Sequence, residues 1–508
     1  MPPEIVMTSR KPASPYLCWP GKSSAVRRDV DVLVLEELFG PDGDPVEGPS
    51  ADCLPWRDLL VRADNRRLLS SLANGPLRRL IDDAGGIKLV YMDPPFAVGA
   101  DFSAPAGGSA VKALAYRDTW SGGLPAFLDM MHERLLLLRE VLALDGSLYL
   151  HCDYRTAAHM RLLLDEVFGP ERFLGDIVWH YTGGGRAKRW FSRKHDRILH
   201  YARSERWTFN TDAVRVPYKP TSGYARSGIV SRNGKRYLPH PDGTPADDVW
   251  DIPMINPMSP ERNGYPTQKP EALLERVILA SSNPGDLIAD CFCGSGTTAA
   301  VARRLGRRWL AVDDSALAVH TARKRLLLPD GEPGAGARFV TARMSADAKA
   351  APPEKAGTED GEAGSHGVFV HETLLEGGRF RYSLSDIHLL PGVRGDSFIV
   401  ELAGFTVRLL EDGGTAAAGI VPEDWRDWLD YWSVGLPCPG LPVWPGSRAG
   451  AWCNGILWHS ARGKKRAPLF RTPELVWPGG KRYADGRRTL LVTVIDIFAN
   501  ASRITLSL

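Results

Sequence analysis

The most constraining stretch of the chain is Ala289-Asp290-Cys291-Phe292-Cys293-Gly294-Ser295-Gly296-Thr297-Thr298. It follows the apolar pair Leu287-Ile288 and opens a helical pattern from Thr297 to Leu305. A strand that ends in a glycine turn and hands over to a helix brings bare backbone close to a ligand. The next apolar run, Trp309 to Val312, stops at Asp313-Asp314, where an acid can take the two hydroxyls of a ribose. The spacing is too short for a pyrophosphate cradle and lacks GxGxxG. A nucleoside ligand without phosphates fits better, and the common one is S-adenosylmethionine.

A second motif lies far upstream. The buried-looking strand Ile87 to Met92 ends in Asp93-Pro94-Pro95-Phe96. With these residues the chain resembles the β-class amino-methyltransferases of DNA, close in layout to Type III modification subunits. Four motifs stand in that family's order: Asp64-Asn65, Asp93 to Phe96, Thr267-Gln268-Lys269-Pro270 and Asp290 to Thr298. They span roughly residues 55–328. The resemblance implies an α/β, Rossmann-like S-adenosylmethionine-dependent fold, a mixed sheet with helices on both faces. An inserted basic recognition region and a C-terminal β-rich domain complete it.

The same resemblance assigns roles. Asp93, Pro94, Pro95 and Phe96 would be catalytic. Asp64, Asn65, Thr267, Lys269, Asp290, Phe292, Gly294, Gly296, Thr297 and Asp313 would surround the cofactor, with Asp314 able to substitute for Asp313. Two positions depart from the family pattern: Ala63 replaces a glycine, and Cys291 a proline. Plainer readings stand beside these roles. Asp64-Asn65 would serve equally as a helix N-cap, Lys269 as an exposed lysine at a helix start, and Asp93 to Phe96 as a turn with a packing Phe.

Composition narrows the partners. At 508 residues, with 44% hydrophobic and 24% charged residues, the chain is long enough for two or three domains. Its net charge is +3, yet Arg172 to Tyr237 carries 15 Lys/Arg against 4 Asp/Glu, leaving the remainder net acidic. Such a concentration reads as a footprint for a polyanion. Arg186, Lys188, Arg189, Trp190, Arg193 and Lys194, then Arg232, Lys235 and Arg236, are the candidates to contact double-stranded DNA. Trp190, Phe191 or Tyr224 could stack on or wedge between bases. The plainer reading is a solvated basic surface. Met1 to Arg10 lacks an apolar core, no run reaches the length of a membrane span, and the seven cysteines contain no CxxC. A cytoplasmic protein with no membrane partner and no metal site is expected.

The expected organisation is an N-terminal extension (1–54), a methyltransferase domain (55–328), a linker (329–366) interrupted by a candidate strand at Arg338 to Ala342, and a C-terminal β-rich domain (367–508). The methyltransferase domain divides into a catalytic half (55–171), an insert (172–265) and a cofactor half (266–328). Val30 to Phe39 looks helical, Leu124 to Leu144 reads as a helix ended by Asp145-Gly146, and Ala97 to Ser109 reads as a lid. Tyr116, Asp118 and Trp120 follow it, as pocket lining or as packing. Trp425, Trp428, Tyr431 and Trp432 have helix-like spacing, which usually means core. The implied function is methyl transfer from S-adenosylmethionine to adenine N6 of a flipped-out base, in restriction-modification or phage defence. Cytosine N4 methylation, an RNA substrate and a non-catalytic nucleic-acid- or cofactor-binding subunit are the alternatives. A restriction or translocase subunit and a second copy of the chain are the further partners the resemblance suggests.

Overall fold

The computed structural model describes residues 16–23, 25–40, 58–105, 112–183, 186–328 and 338–345. It also describes the strands between 369 and 507 and the short run 469–473. Fourteen strands form one sheet. In chain order they are β1 (Val32–Phe39), β2 (Asp58–Arg62), β3 (Ile87–Met92), β4 (Leu142–Cys152), β5 (Phe173–His180), β6 (His195–Ala202) and β7 (Val249–Asp251). Then come β8 (Leu287–Asp290), β9 (Arg308–Asp313), β10 (Phe339–Ser345), β11 (Leu429–Pro437), β12 (Ser447–Ala461), β13 (Thr489–Asp496) and β14 (Ala501–Ser507). Their spatial order is β7-β5-β6-β4-β3-β8-β9-β2-β10-β1-β12-β11-β13-β14.

From β4 to β10 the neighbours are parallel. A parallel block needs helices on both faces, which is why its strands read as near-continuous apolar runs. Helices α1 (Asn65–Asn74), α2 (Gly123–Val141) and α3 (Ala157–Phe168) cover one face through Leu68, Met131 and Leu163. Helices α4 (Glu271–Ser281), α5 (Thr297–Arg304) and α6 (Ala316–Leu327) cover the other through Val277, Val301 and Ala322. Along β3, Val90 and Met92 enter the first core and Leu89 and Tyr91 the second, as a period of two requires.

β3 and β8 are neighbours although about two hundred residues apart, and Tyr91 stands opposite Asp290. Their following loops leave from one edge of the sheet, the place where open α/β sheets bind ligands. β6 runs antiparallel to β4, and β5 antiparallel to β6. The end of β5 and the start of β6 therefore return to that same edge.

Several expectations need correction. Val30 to Phe39 is not helical: residues 32–39 are a strand held between β10 and β12, buried on both faces. Asp145-Gly146 does not end a helix. α2 stops at Val141, and both residues lie inside β4, with Asp145 paired to Lys88 at 2.6 Å. Tyr431 and Trp432 are core, as expected, but on a strand; Trp425 and Trp428 lie outside the described residues. β5 was not foreseen. Within 329–366 the strand expected at Arg338 to Ala342 is present as β10, Phe339–Ser345, and most of the remaining linker lies outside the described residues. The C-terminal strands β11 to β14 extend the central sheet through the β1–β12 pairing. A separate four-stranded sheet is built from Phe369–Leu375, Gly378–Pro391, Ser397–Asp412 and Leu475–Val476.

The seam between β11 and α6 is polar and buried. Asp430 accepts from His320 Nε2 at 2.8 Å and from Lys324 Nζ at 2.8 Å, and Arg323 meets Glu37 of β1 at 3.1 Å. Burial pushes Asp430 up, but Lys324 and His320 outweigh it and hold the carboxyl well below the usual range.

Candidate active site

A cavity of about 470 Å³ opens where β3, β8 and β9 end. Asp93 to Phe96, Asp290 to Ser295 and Asp313 to Ser315 line it together. Asp93 follows the last residue of β3. Its Oδ2 accepts from Lys269 Nζ at 2.5 Å, while its Oδ1 is buried without a hydrogen-bond partner. Lys269 is therefore not an exposed helix-start lysine: its side chain is 11% exposed, and the ammonium also sits 5.4 Å from the Phe96 ring centre. The two residues other than glycine with positive φ, among those described, are Ala97 (55°) and Thr267 (61°). One follows the acidic tetrapeptide and the other precedes Lys269 by two residues. Backbone strain of this kind, about 1–3 kcal/mol per residue, persists where the surrounding structure imposes it, and such positions cluster at ligand sites.

The stretch after Phe96 forms a roof. Phe102–Pro105 pairs antiparallel with Lys112–Tyr116, and residues 106–111 lie outside the described set. Ala104 and Ala115 pack against Tyr265 and the start of α6. Tyr116 Oη donates to Thr267 Oγ1 at 3.3 Å. Asp118 is buried and accepts from the N–H groups of Ala97 and Val98, each at 2.9 Å, and from Trp120 Nε1 at 3.0 Å. It pins the exit of the tetrapeptide.

On the opposite side the carboxylates divide the work. Asp290 accepts from Phe292 N at 3.1 Å and Thr298 Oγ1 at 2.5 Å. Asp313 accepts from Gly294 N at 2.9 Å and Ser315 N at 3.0 Å. Both acids thus shape the turn. Asp314 is exposed at the rim. Gly296 has a φ of +73°, and a Cβ there would meet Ala322 Cβ at 2.7 Å, so this glycine lets α6 approach the turn. Thr297 accepts from Arg325 Nη1 at 2.8 Å and is itself 3.3 Å from the Lys269 carbonyl, tying α5 to the Lys269 segment. Asp64 caps α1 through Arg66 N at 2.9 Å and accepts from Arg134 at 2.8 Å. Asn65 is buried, donating to the Cys291 carbonyl at 2.5 Å and accepting from Arg134 Nε at 2.5 Å. Asp64 is thus the N-cap of α1 and also lines the cavity. Cys291 and Cys293 are buried packing residues.

Burial pushes Asp290 and Asp313 up to about 7, against the hydrogen bonds they accept. A carboxyl whose folded value exceeds its ordinary 3.8 binds its proton more tightly when folded. Its contribution to stability therefore declines as pH rises through that window. The ligand-free protein is expected to lose thermal stability relative to an Asp290→Asn variant between about pH 4 and about pH 7. Melting curves of both proteins across that range check this, and a pH-independent difference would contradict it.

A polar chain that the motifs did not announce runs behind Phe96. Tyr91 Oη meets His151 Nδ1 at 2.8 Å, His151 Nε2 meets Asp196 Oδ2 at 3.3 Å, and Tyr181 Oη donates to Asp196 Oδ1 at 3.2 Å. The His151 ring stacks on Phe96, centres 5.6 Å apart at 26°. Burial raises Asp196, but the bond and charge of His151, with Lys269, hold it below its ordinary value. The sequence signals were His151 at the end of a strand beside β3 and the run Lys194 to Tyr201, which resembles the family's last core-strand motif.

The basic candidates fall on two separate loops. Arg186, Lys188, Arg189 and Trp190 are exposed on the β5–β6 loop, where Arg193 lies over the Tyr154 ring at 3.9 Å and Lys194 donates to the Gly183 carbonyl. Arg232, Lys235 and Arg236 are exposed on a small hairpin pairing Ile229–Val230 with Arg236–Tyr237.

This architecture defines a class, the Rossmann-like methyltransferase domain. A DNA methylase family profile matches residues 87–324. The chain is 34% identical over 247 residues to the Type II methyltransferase M1.MboII of Moraxella bovis, covering 46% of this chain and 87% of that protein. It is 32% identical over 263 residues to the Type II methyltransferase M.HpaI of Haemophilus parainfluenzae, covering 52% and 74%. It is 31% identical over 245 residues to the DNA adenine methyltransferase YhdJ of Escherichia coli, covering 48% and 77%. The chain belongs to this DNA methylase family.

Proposed function

We propose that the protein transfers a methyl group from S-adenosylmethionine to the N6 amino group of adenine in double-stranded DNA. The observation that carries this reading is Asp93: one oxygen is fixed by Lys269 and the other is buried, unpartnered and on the wall of the cavity. An aromatic amine is a poor nucleophile because its lone pair is delocalised into the ring. Two acceptors placed for its two hydrogens draw the nitrogen towards tetrahedral geometry, and Asp93 with the Pro94 carbonyl can supply them. The two prolines fix the backbone that carries both. Phe96, stiffened by His151, offers a face for the base. Asp93 Oδ1 is also the atom suited to take the proton that the methylated amine loses. The target base must leave the helix to reach the site.

The cavity suits the cofactor. Its volume lies in the range of small-molecule sites, and the exposed Asp314 carboxylate is part of its lining. When bound, S-adenosylmethionine supplies an electrophilic methyl on a sulfonium. We assign the ribose to Asp314, with Asp313 holding the turn, since both Asp313 oxygens already serve backbone N–H groups. Phe292, Gly294 and Asp64 would flank the cofactor; Asn65, Thr267, Asp290, Gly296 and Thr297 would hold the walls. Asp314→Ala is expected to raise the cofactor Kd about 10- to 100-fold, the worth of one bond to a charged acceptor. Titration calorimetry checks this, and an unchanged Kd would return the role to Asp313.

Adenine is favoured over cytosine by the aspartate that begins Asp93-Pro94-Pro95 and by the adenine named for the Escherichia coli relative. A restriction or translocase subunit, a second copy of the chain and a cytoplasmic setting accord with this reading. Among the described residues no helix is long and apolar enough to cross a membrane. Nucleoside mass spectrometry of DNA from a methylation-free host expressing the chain tests the reading. N6-methyladenine is expected; N4-methylcytosine would move the target to the other base.

A further inference from the structure

The β5–β6 loop presents a feature that neither the cofactor nor the chemistry uses. Phe191 is 97% exposed, and Trp190 beside it is 62% exposed. The stem beneath them is tied down. Tyr181 N donates to the Lys194 carbonyl at 3.0 Å, Ala187 N to Ser192 Oγ at 2.9 Å, and Tyr181 Oη to Asp196 at 3.2 Å. Arg193 rests on Tyr154, which follows the end of β4. Three residues before Tyr154, His151 stacks on Phe96. The loop is thereby seated on the strand end that supports the catalytic ring.

We propose that Phe191 is a wedge that enters the base stack of duplex DNA next to the flipped target, and this rests on the DNA methylase reading above. Arg186, Lys188 and Arg189 on the same loop suit the flanking phosphates. Exposed cations on the same loop disfavour an apolar protein groove as the occupant, and the loop's place at the catalytic edge sets Phe191 beside the base being extruded. Apolar side chains of this kind unstack a base step and hold the duplex distorted. Extrusion is least costly when the target lacks its pairing partner. A wedge therefore matters most on an intact pair.

The test uses the full chain and two synthetic duplexes bearing the site methylated by the wild type in genomic DNA. One carries thymine opposite the target adenine and the other an abasic position. Phe191→Ala is expected to lower kcat/KM on the paired duplex about 10- to 100-fold, and about threefold or less on the abasic one. Phe191→Leu, which keeps an apolar wedge, should recover most of the loss. Since the side chain is exposed, cofactor affinity should be unchanged in both variants. Wild-type rates for Phe191→Ala on the paired duplex, or equal losses on both duplexes, would overturn the wedge. Wild-type protein that methylates no DNA at all would sink the methylase reading itself and the wedge with it.

Discussion

Asp93→Ala is expected to lower methyl transfer to DNA about 10²- to 10³-fold while leaving cofactor affinity within about threefold. Truncation removes the acceptor aimed at the reacting amine but touches neither the glycine turn nor Asp314. Asp93→Asn should be nearly as damaging. Its shape is kept, yet its amide would turn an N–H towards an amine that itself presents N–H groups. The Lys269 ammonium loses its acceptor in Asp93→Ala, so a modest fall in melting temperature accompanies the kinetic loss in that variant. Single-turnover transfer and calorimetry separate the two effects. Activity retained by Asp93→Ala would remove the carboxylate from the chemistry.

Asp430→Ala is expected to be the most damaging change to stability outside the site, costing about 3–5 kcal/mol, the usual penalty for breaking a buried pair. The carboxylate is buried against the Lys324 ammonium and the His320 ring and accepts a hydrogen bond from each. Removing it leaves Lys324 with room to reach water but strands the side of α6 that faces β11. The Arg323–Glu37 pair, packed in the same seam, would be loosened too. Because the folded carboxyl lies below its ordinary value, its contribution is present at neutral pH and disappears on acidification through the carboxylate range. Thermal unfolding at neutral and acidic pH checks both statements. A melting temperature equal to that of the wild type at neutral pH would show that the seam does not hold β11 to α6.

The central part of this fold was legible because each motif sits where a strand ends. Ile87 to Met92 and Leu287 to Asp290 are short apolar runs bounded by polar turns, the pattern and length of a strand covered on both faces. Val30 to Phe39 misled for the same reason in reverse. Glu36-Glu37 breaks its apolar run and suggests a polar helix face, whereas Glu37 is a buried partner of Arg323. Nothing local announces an ion pair with a residue nearly three hundred positions away.

The site divides in a similar way. Asp93, Gly294 and Gly296 carry their signal in the residues beside them. The choice between Asp313 and Asp314 does not, because backbone N–H groups of Gly294 and Ser315 decide which acid is engaged. The His151–Asp196 contact depends on the register of β4 against β6, which no spacing within either strand encodes. Lys269 read as a cofactor neighbour or as a helix-start lysine, and its pairing with Asp93 was not legible because the fold alone brings the two together.

The most direct test is an in vitro transfer assay with purified full-length protein, methyl-labelled S-adenosylmethionine and mixed-sequence duplex DNA, read by nucleoside mass spectrometry. Label is expected in N6-methyladenine, and it should vanish with Asp93→Ala. Cofactor bound at full occupancy with no label entering duplex or single-stranded DNA would contradict the catalytic reading of Asp93 and its cavity.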